Sequence, residues 1–160
     1  MKIAVMSDSH GHESDLRWML ERLWLQVGPI DAYVHCGDGA GDFERLDGFI
    51  RRRDPYAGLL GVRGNCDYFG TDLPEIRSFA LDGITILITH GHRQQVKQGT
   101  SLLMREAVQR GCGLALFGHT HQTLIVEGEA VLVNPGSARN GRMALVTLEK
   151  GRISPQLLEF

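Results

Sequence analysis

Seven residues of types that bind divalent cations gather at five points of the chain: Asp8 with His10, Asp38, Asn65, His90, and His119 with His121. Each follows a short, mostly apolar run. Ile3–Met6 leads into Asp8-Ser9-His10, Tyr33–Cys36 into Gly37-Asp38, and Leu59–Val62 through Arg63 into Gly64-Asn65-Cys66-Asp67. Ile84–Ile88 leads into Thr89-His90-Gly91-His92, and Leu114–Phe117 into Gly118-His119-Thr120-His121. Imidazole nitrogen and carboxylate oxygen together suit Mn²⁺, Fe²⁺, Co²⁺, Ni²⁺ and Zn²⁺, whereas an all-oxygen shell favours Mg²⁺ or Ca²⁺. Seven donors exceed what one four-coordinate ion uses and suit two ions sharing a carboxylate, a device for hydrolysing phosphate esters. Any one of these residues alone has a plainer reading as a polar side chain satisfied at its own turn. The fivefold recurrence is what argues for a site.

Open α/β sheets place their sites beyond the carboxyl ends of strands, so the runs before each cluster should be strands. Lys2–Met6 reads as a buried central strand. A helix should begin at Glu13 or Ser14, with Leu16, Met19, Leu20, Leu23 and Val27 as its apolar stripe, Trp18 and Trp24 nearer the edges, and Gly28-Pro29 as its stop. A strand over Ala32–Cys36 follows, then a short helix within Gly41–Ile50 packed by Phe43, Leu46 and Phe49, and a turn at Asp54-Pro55-Tyr56. Strand, helix, strand, helix, strand is a right-handed parallel pattern.

Hairpins then take over. Ile76–Leu81 and Ile84–Ile88 flank Asp82-Gly83, Thr123–Val126 and Ala130–Val133 flank Gly128, and Arg142–Leu148 and Ile153–Leu158 flank Lys150-Gly151. A helix over Gly99–Arg110 should turn Leu102, Leu103, Ala107 and Val108 inward, and Leu114–Phe117 is a further strand. So many late hairpins outgrow one doubly wound sheet. The expected architecture is α/β: two mixed sheets packed face to face between helices, in a single domain over residues 1–160.

Composition bounds the function. At 42% hydrophobic and 22% charged residues the chain is globular, and its formal charge of -2 gives no case for a nucleic-acid surface. Arg51-Arg52-Arg53, flanked by Asp47 and Asp54, reads as a solvated helix end. Cys36, Cys66 and Cys112 are odd in number and spaced unlike a zinc or redox motif, so Cys36 and Cys112 are expected as buried thiols. With no long apolar span and no leader pattern, the expectation is a cytoplasmic protein without membrane contact.

The ordered set Asp8-Ser9-His10, Gly37-Asp38, Gly64-Asn65-Cys66-Asp67, Thr89-His90-Gly91-His92 and Gly118-His119-Thr120-His121 resembles the calcineurin-like metallophosphoesterase superfamily, in particular its compact bacterial and archaeal phosphodiesterase group. The likeness spans nearly the whole chain, including Asn134-Pro135-Gly136-Ser137. It implies two sheets sandwiched between helices and a dinuclear centre, with Asp8, His10 and His121 on one ion, Asn65, His90 and His119 on the other, and Asp38 bridging. It also implies two divalent ions, Mn²⁺ first, with Ni²⁺, Fe²⁺, Co²⁺ or Zn²⁺ as options, activating a hydroxide toward phosphorus. The neutral Asn65 would leave the centre net positive for an anionic ester.

One position departs from the wider superfamily, where many members have histidine directly after the asparagine. That histidine, often paired with the next aspartate, resembles a general acid; Cys66 does not inherit the role, which implies activity dependent on the leaving group. Asp38, Asn65, Asp67 and His92 are the catalytic candidates, with Asp67 orienting a neighbour or a water and His92, like His12, a candidate for substrate contact. His35 reads as a scaffold histidine, and Ser9 and Thr120 as turn residues steadying the ligands. Asn134–Ser137 is either a phosphate-framing or a purely structural turn; Arg139 is the preferred anion binder, ahead of Arg63 and Arg93. The resemblance points to a small phosphate ester as substrate and to a homodimer or tetramer. The rival reading is a metal-stabilised protein-binding scaffold, a use of this fold by a subunit of the eukaryotic sorting coat.

Overall fold

Alternation along the first strand decides the layering. In the computed structural model, which describes all 160 residues, Ile3 and Val5 of β1 (Lys2–Met6) join one buried cluster and Ala4 and Met6 another, and all four are fully buried. A strand apolar on both faces must be covered on both. On one side lies α1 (Glu13–Gln26), whose Leu16, Met19, Leu20 and Leu23 are buried at helical spacing and whose first turn carries Glu13 and Asp15. Carboxylates there complement the helix dipole. On the other side lies the second sheet.

The first sheet pairs β1 in parallel with β2 (Ala32–His35), and β2 in parallel with β3 (Gly58–Gly61). Its other flank is the antiparallel hairpin β9 (Arg142–Glu149) and β10 (Arg152–Glu159), β9 lying against β1. The second sheet runs β4 (Ile76–Leu81), β5 (Ile84–Thr89), β6 (Leu114–Leu116), β8 (Val131–Pro135), β7 (Thr123–Glu127), with β5, β6 and β8 parallel. Two mixed five-stranded sheets thus meet over a core of Val, Ile and Leu that includes Val34, Val62, Ile86, Ile88, Leu116 and Val146. Outside the second sheet, Leu87, Ala115, Phe117 and Leu132 pack on Leu103 and Ala107 of α4 (Ser101–Gln109). The expected sandwich is the observed one.

The turns follow their chemistry. Asp82-Gly83 and Lys150-Gly151 have positive φ at both positions, the geometry that matches a two-residue loop to the twist of its strands. Pro155 sits on the sheet-edge strand β10, where a missing N–H costs no ladder bond on the open side.

Some elements differ from expectation. The helix placed within Gly41–Ile50 is two, α2 (Ala40–Arg45) and α3 (Asp47–Arg51), because the Leu46 N–H bonds back three residues to Phe43 and tightens the turn between them. Phe43 and Leu46 are nonetheless buried, and Phe49 packs against the same cluster. In α4, Leu102 and Val108 are exposed; Leu103 and Ala107, four apart, define the buried face, and their chain neighbours fall about 100° off it. The two tryptophans of α1 do flank its stripe as expected: Trp24 is half-buried, stacks on Phe49 at 5.1 Å and donates from Nε1–H to Tyr33 Oη at 2.8 Å, while Trp18 is 42% exposed. Cys36 and Cys112 are buried, and no helix is long and apolar enough to cross a membrane.

Candidate metal centre

Because β1, β2 and β3 run in parallel and β5 and β6 do likewise, all five candidate clusters leave their strands at carboxyl ends. Backbone bonds then knit the turns together. Asp8 N–H donates to Gly37 O at 2.9 Å, His10 N–H to Asp38 O at 3.0 Å, and Gly118 N–H to His90 O at 3.1 Å. Across the two sheets, His119 N–H donates to Asp8 Oδ2 at 3.0 Å. Such close turns need glycine. A Cβ on Gly64 would stand 2.1 Å from Asp38 Oδ1 and 2.6 Å from Asp38 N, and one on Gly118 would stand 1.9 Å from Ser7 Oγ.

The ligand candidates themselves carry backbone strain. Asp8, His10, Asp38, His119 and His121 all have positive φ, between 48° and 69°, a region other residues avoid at a cost of about 1 kcal/mol or more each. Only three other non-glycine residues share it, and of these Asp82 and Lys150 are the hairpin turns already described. Strain so concentrated marks a place where side-chain direction outweighs backbone comfort.

The side chains converge in two groups, Asp8 with His10 and His121, and Asp38 with His90 and His119. His10 Nε2 and His121 Nε2 are 3.2 Å apart, as are His119 Nδ1 and His90 Nε2. His90 Nδ1 is 2.7 Å from the Cys36 carbonyl, which can only accept, so Nδ1 carries the proton and Nε2 turns its lone pair inward, 3.2 Å from Asp38 Oδ2. Asp8 is fully buried, and its Oδ1 has no hydrogen-bond partner although His121 Nε2 lies 3.1 Å away. The Asn65 Oδ1 is likewise buried without a partner. Lone pairs facing one another in a buried place repel unless a cation lies among them, so these donors fit divalent metal.

Residues 1–150 match the family model of the calcineurin-like phosphoesterase superfamily domain. The chain belongs to this superfamily. It is 32% identical to the probable metallophosphoesterase YsnB of Bacillus subtilis, over 93% of this chain and 85% of that one. It is 30% identical to the phosphodiesterase MJ0936 of Methanocaldococcus jannaschii, over 85% and 83%. Among solved structures, a conserved protein of Streptococcus pneumoniae described as a predicted phosphoesterase superposes with a TM-score of 0.76 at 27% identity, covering 99% of this chain and 88% of that one. Both curated relatives carry names of this chemistry, a probable metallophosphoesterase and a phosphodiesterase.

Charge among these donors is set by burial and by neighbours. Burial would raise the Asp38 carboxyl, but His90 and the Cys66 N–H outweigh it and hold it well below the carboxylate range. Burial lowers His90, yet Asp38 and Asp8 pull its net shift upward. His119 falls to about 4, chiefly through burial.

Residues around the donors brace the site, and of these only Asp42 left no mark in the sequence. Asp67, expected to orient a neighbour or a water, accepts four backbone N–H groups, from Asp38 and Gly64 at 2.8 Å, Gly39 at 3.0 Å and Ala40 at 3.1 Å. Both its oxygens are thus engaged in holding the Asp38 loop. Ser9, between Asp8 and His10, donates to Asp42 Oδ2 at 2.7 Å and lies 3.2 Å from His35 Nε2. Since Gly37 N–H donates to His35 Nδ1, Nε2 is the donor to Ser9, and burial lowers this scaffold histidine to about 4. Asn134 Nδ2 donates to Gly118 O at 2.8 Å and to Thr120 Oγ1 at 3.1 Å, and Ser137 Oγ donates to Asp8 O at 2.8 Å. The Asn134–Ser137 turn therefore braces two ligand loops at once.

The remaining expectations divide. His92 Nδ1 is buried without a partner, and its ring lies 5.5 Å from that of His90 and 6.1 Å from that of His119. His12 stands away at the start of α1, 3.4 Å from Asp15. Arg93 pairs with Glu75 at 2.6 Å, and Arg63 approaches the same carboxylate at 3.9 Å, so both less favoured arginines already have an acidic neighbour. Arg139 is exposed on the 3-10 turn Ala138–Asn140 just after Ser137. A cavity of about 280 Å³ beside His10, Asp38 and Cys66 and another of about 270 Å³ beside Asn65 and His92 flank the centre. A larger one of about 660 Å³ lies among the starts of β2 and β3 at Ala32 and Gly58, the opposite end of those strands from the centre.

Proposed function

We propose that the chain is a divalent-metal-dependent phosphodiesterase with a dinuclear centre, one domain acting on a small phosphate ester. The observation that carries this reading is the pair of donor groups, Asp8–His10–His121 and Asp38–His90–His119, whose lone pairs converge from two sheets. Asp8, His10 and His121 would hold one ion and Asn65, His90 and His119 the other, with Asp38 shared between them. When bound, the ions supply electrophilic charge for the phosphoryl oxygens and a hydroxide at neutral pH.

The chain's own residues do the rest. Asp67 and Asn134 keep the ligand loops fixed, so the acceptor site costs little reorganisation when charge develops. His92, whose ring lies 6.1 Å from that of His119 and which lines a cavity with Asn65, would contact the ester. A diester is preferred because the relative MJ0936 is named a phosphodiesterase. Mn²⁺ is the proposed native ion. We place the protein in the cytoplasm as a homodimer or tetramer.

The scaffold alternative shares the fold but has no need of a full donor set. Both are tested by chelating the protein, restoring one divalent metal at a time, and assaying phosphomonoesters, linear diesters, cyclic nucleotides and single-stranded nucleic acid. Metal-restored turnover of a diester supports the proposal. Two bound ions with no turnover of any ester would favour the scaffold.

A further inference from the structure

Cys66 lies inside the ligand turn, yet neither the proposed ligand set nor the scaffold uses its thiol. The side chain is exposed at the mouth of the site, where it lines the 280 Å³ cavity with His10 and Asp38. Its position is pinned from both sides: the Cys66 N–H donates to Asp38 Oδ1 at 2.8 Å, and Asn65 Nδ2 donates to Sγ at 3.5 Å. The sulfur, a ring nitrogen of His10 and a carboxylate oxygen of Asp38 lie within 4.8 Å of one another. Close by, the buried and unpartnered Asp8 Oδ1 is 3.8 Å from His10 Nε2. Two donor sets of different hardness therefore share one histidine. With Asp8 and His121, His10 belongs to a nitrogen and oxygen set; with Asp38 and Cys66, it belongs to one that includes sulfur.

We propose that Cys66 is a conditional metal ligand that makes the centre discriminate between thiophilic ions and hard ones. The inference rests on the dinuclear reading above. With Cd²⁺, Zn²⁺ or Co²⁺, the sulfur joins His10 and Asp38 on the ion: the S–H bond breaks, its proton passes to solvent, and the sulfur's electron pair forms the metal–sulfur bond, with no change of oxidation state. With Mn²⁺, which prefers oxygen and nitrogen, Cys66 remains a thiol at the rim. Metal choice then depends on a residue outside the superfamily's ligand pattern, and thiophilic ions bind with release of one additional proton.

The test is a Co²⁺ titration of the chelated full-length protein, read by absorption and by elemental analysis of bound cobalt. A thiolate-to-cobalt charge-transfer band in the near ultraviolet should grow to saturation in the parent and be missing in Cys66→Ser. Cys36 and Cys112 lie in apolar clusters, and both remain in that variant. Competition with a chelator should show Cys66→Ser losing Cd²⁺ affinity by about tenfold or more, with Mn²⁺ affinity changed by less than about twofold. Bound cobalt without the band in the parent, the band persisting in Cys66→Ser, or equal losses for Cd²⁺ and Mn²⁺ would overturn this proposal and leave the dinuclear reading intact. No bound cobalt in the parent would remove both.

Discussion

His90 Nε2 and Asp38 Oδ2 stand 3.2 Å apart, although one residue follows a strand of the second sheet and the other a strand of the first. The pair closes the seam between the sheets at its open end, and the imidazole is fixed from behind by the Cys36 carbonyl. On the dinuclear reading, Asp38 would be the carboxylate shared by the two donor groups. In Asp38→Asn, metal titration should show loss of the cooperative pair of ions, with affinity down by about tenfold or more. His92→Ala should leave occupancy close to that of the parent. Unchanged occupancy in Asp38→Asn would sink the bridging role.

A second prediction concerns the space the site leaves for itself. Gly64→Ala places a methyl 2.1 Å from Asp38 Oδ1 and 2.6 Å from its backbone nitrogen, and the backbone atom cannot swing aside as a side-chain tip could. Overpacking of this kind costs about 1–3 kcal/mol. Denaturant melts should register that loss, and metal occupancy should fall with it. Gly48→Ala, where the added carbon meets nothing within 4 Å, is the control and should stay within about 0.5 kcal/mol of the parent.

The third follows from His35, which burial holds at about 4 in the folded protein against 6.5 for an ordinary imidazole. Between these values the unfolded chain binds the proton and the native state does not, so ν of the unfolded state is larger and stability rises with pH. The contribution is complete above about pH 6.5, is lost as pH falls toward 4, and is on the order of 3 kcal/mol. Urea melts of chelated parent and His35→Gln at pH 4.5 and pH 7 should show a steeper pH dependence in the parent. Parallel curves would mean that His35 is not held neutral.

The fold was legible because strand periodicity and turn chemistry agree at every level: Ile3 through Met6 has room only in a doubly covered strand, and Asp82-Gly83 and Lys150-Gly151 announce their hairpins. The break at Leu46 and the exposed faces at Leu102 and Val108 were not, because one tightened hydrogen bond and one helix rotation decide them, and neither changes residue type. At the site, residue types put forward donor candidates, six of which the fold gathers into two groups. What they could not convey was Asp67 gripping four N–H groups, or Asp42 reaching Ser9 across 33 positions, since such bonds exist only once the loops are folded together. The left-handed ligands belong to the same class: an aspartate at positive φ looks like any other aspartate in a sequence.

The last prediction bears on how the ester bond breaks. An activated aryl oxygen departs with little protonation, whereas a poorly stabilised alkoxide needs a proton in the transition state. The position that could supply one holds Cys66, whose thiol is pushed above its ordinary range by partial desolvation at the rim and by the Asp38 carboxylate, so near neutral pH it is a reluctant acid. His92 stands nearer the His119 side, and burial with the neighbouring His90 lowers its pKa, so it too is mostly unprotonated at pH 7. Mn²⁺-loaded parent should therefore show a steep dependence of turnover on leaving-group pKa. In Cys66→His, equally loaded and folded, the slope should flatten and turnover on poor leaving groups should rise by about tenfold or more, the low end of what a positioned general acid contributes. Equal, steep slopes in both proteins would show that an imidazole at position 66 does not reach the departing oxygen. A parent already insensitive to leaving-group pKa would instead assign the proton to His92, and His92→Ala should then restore the steep slope.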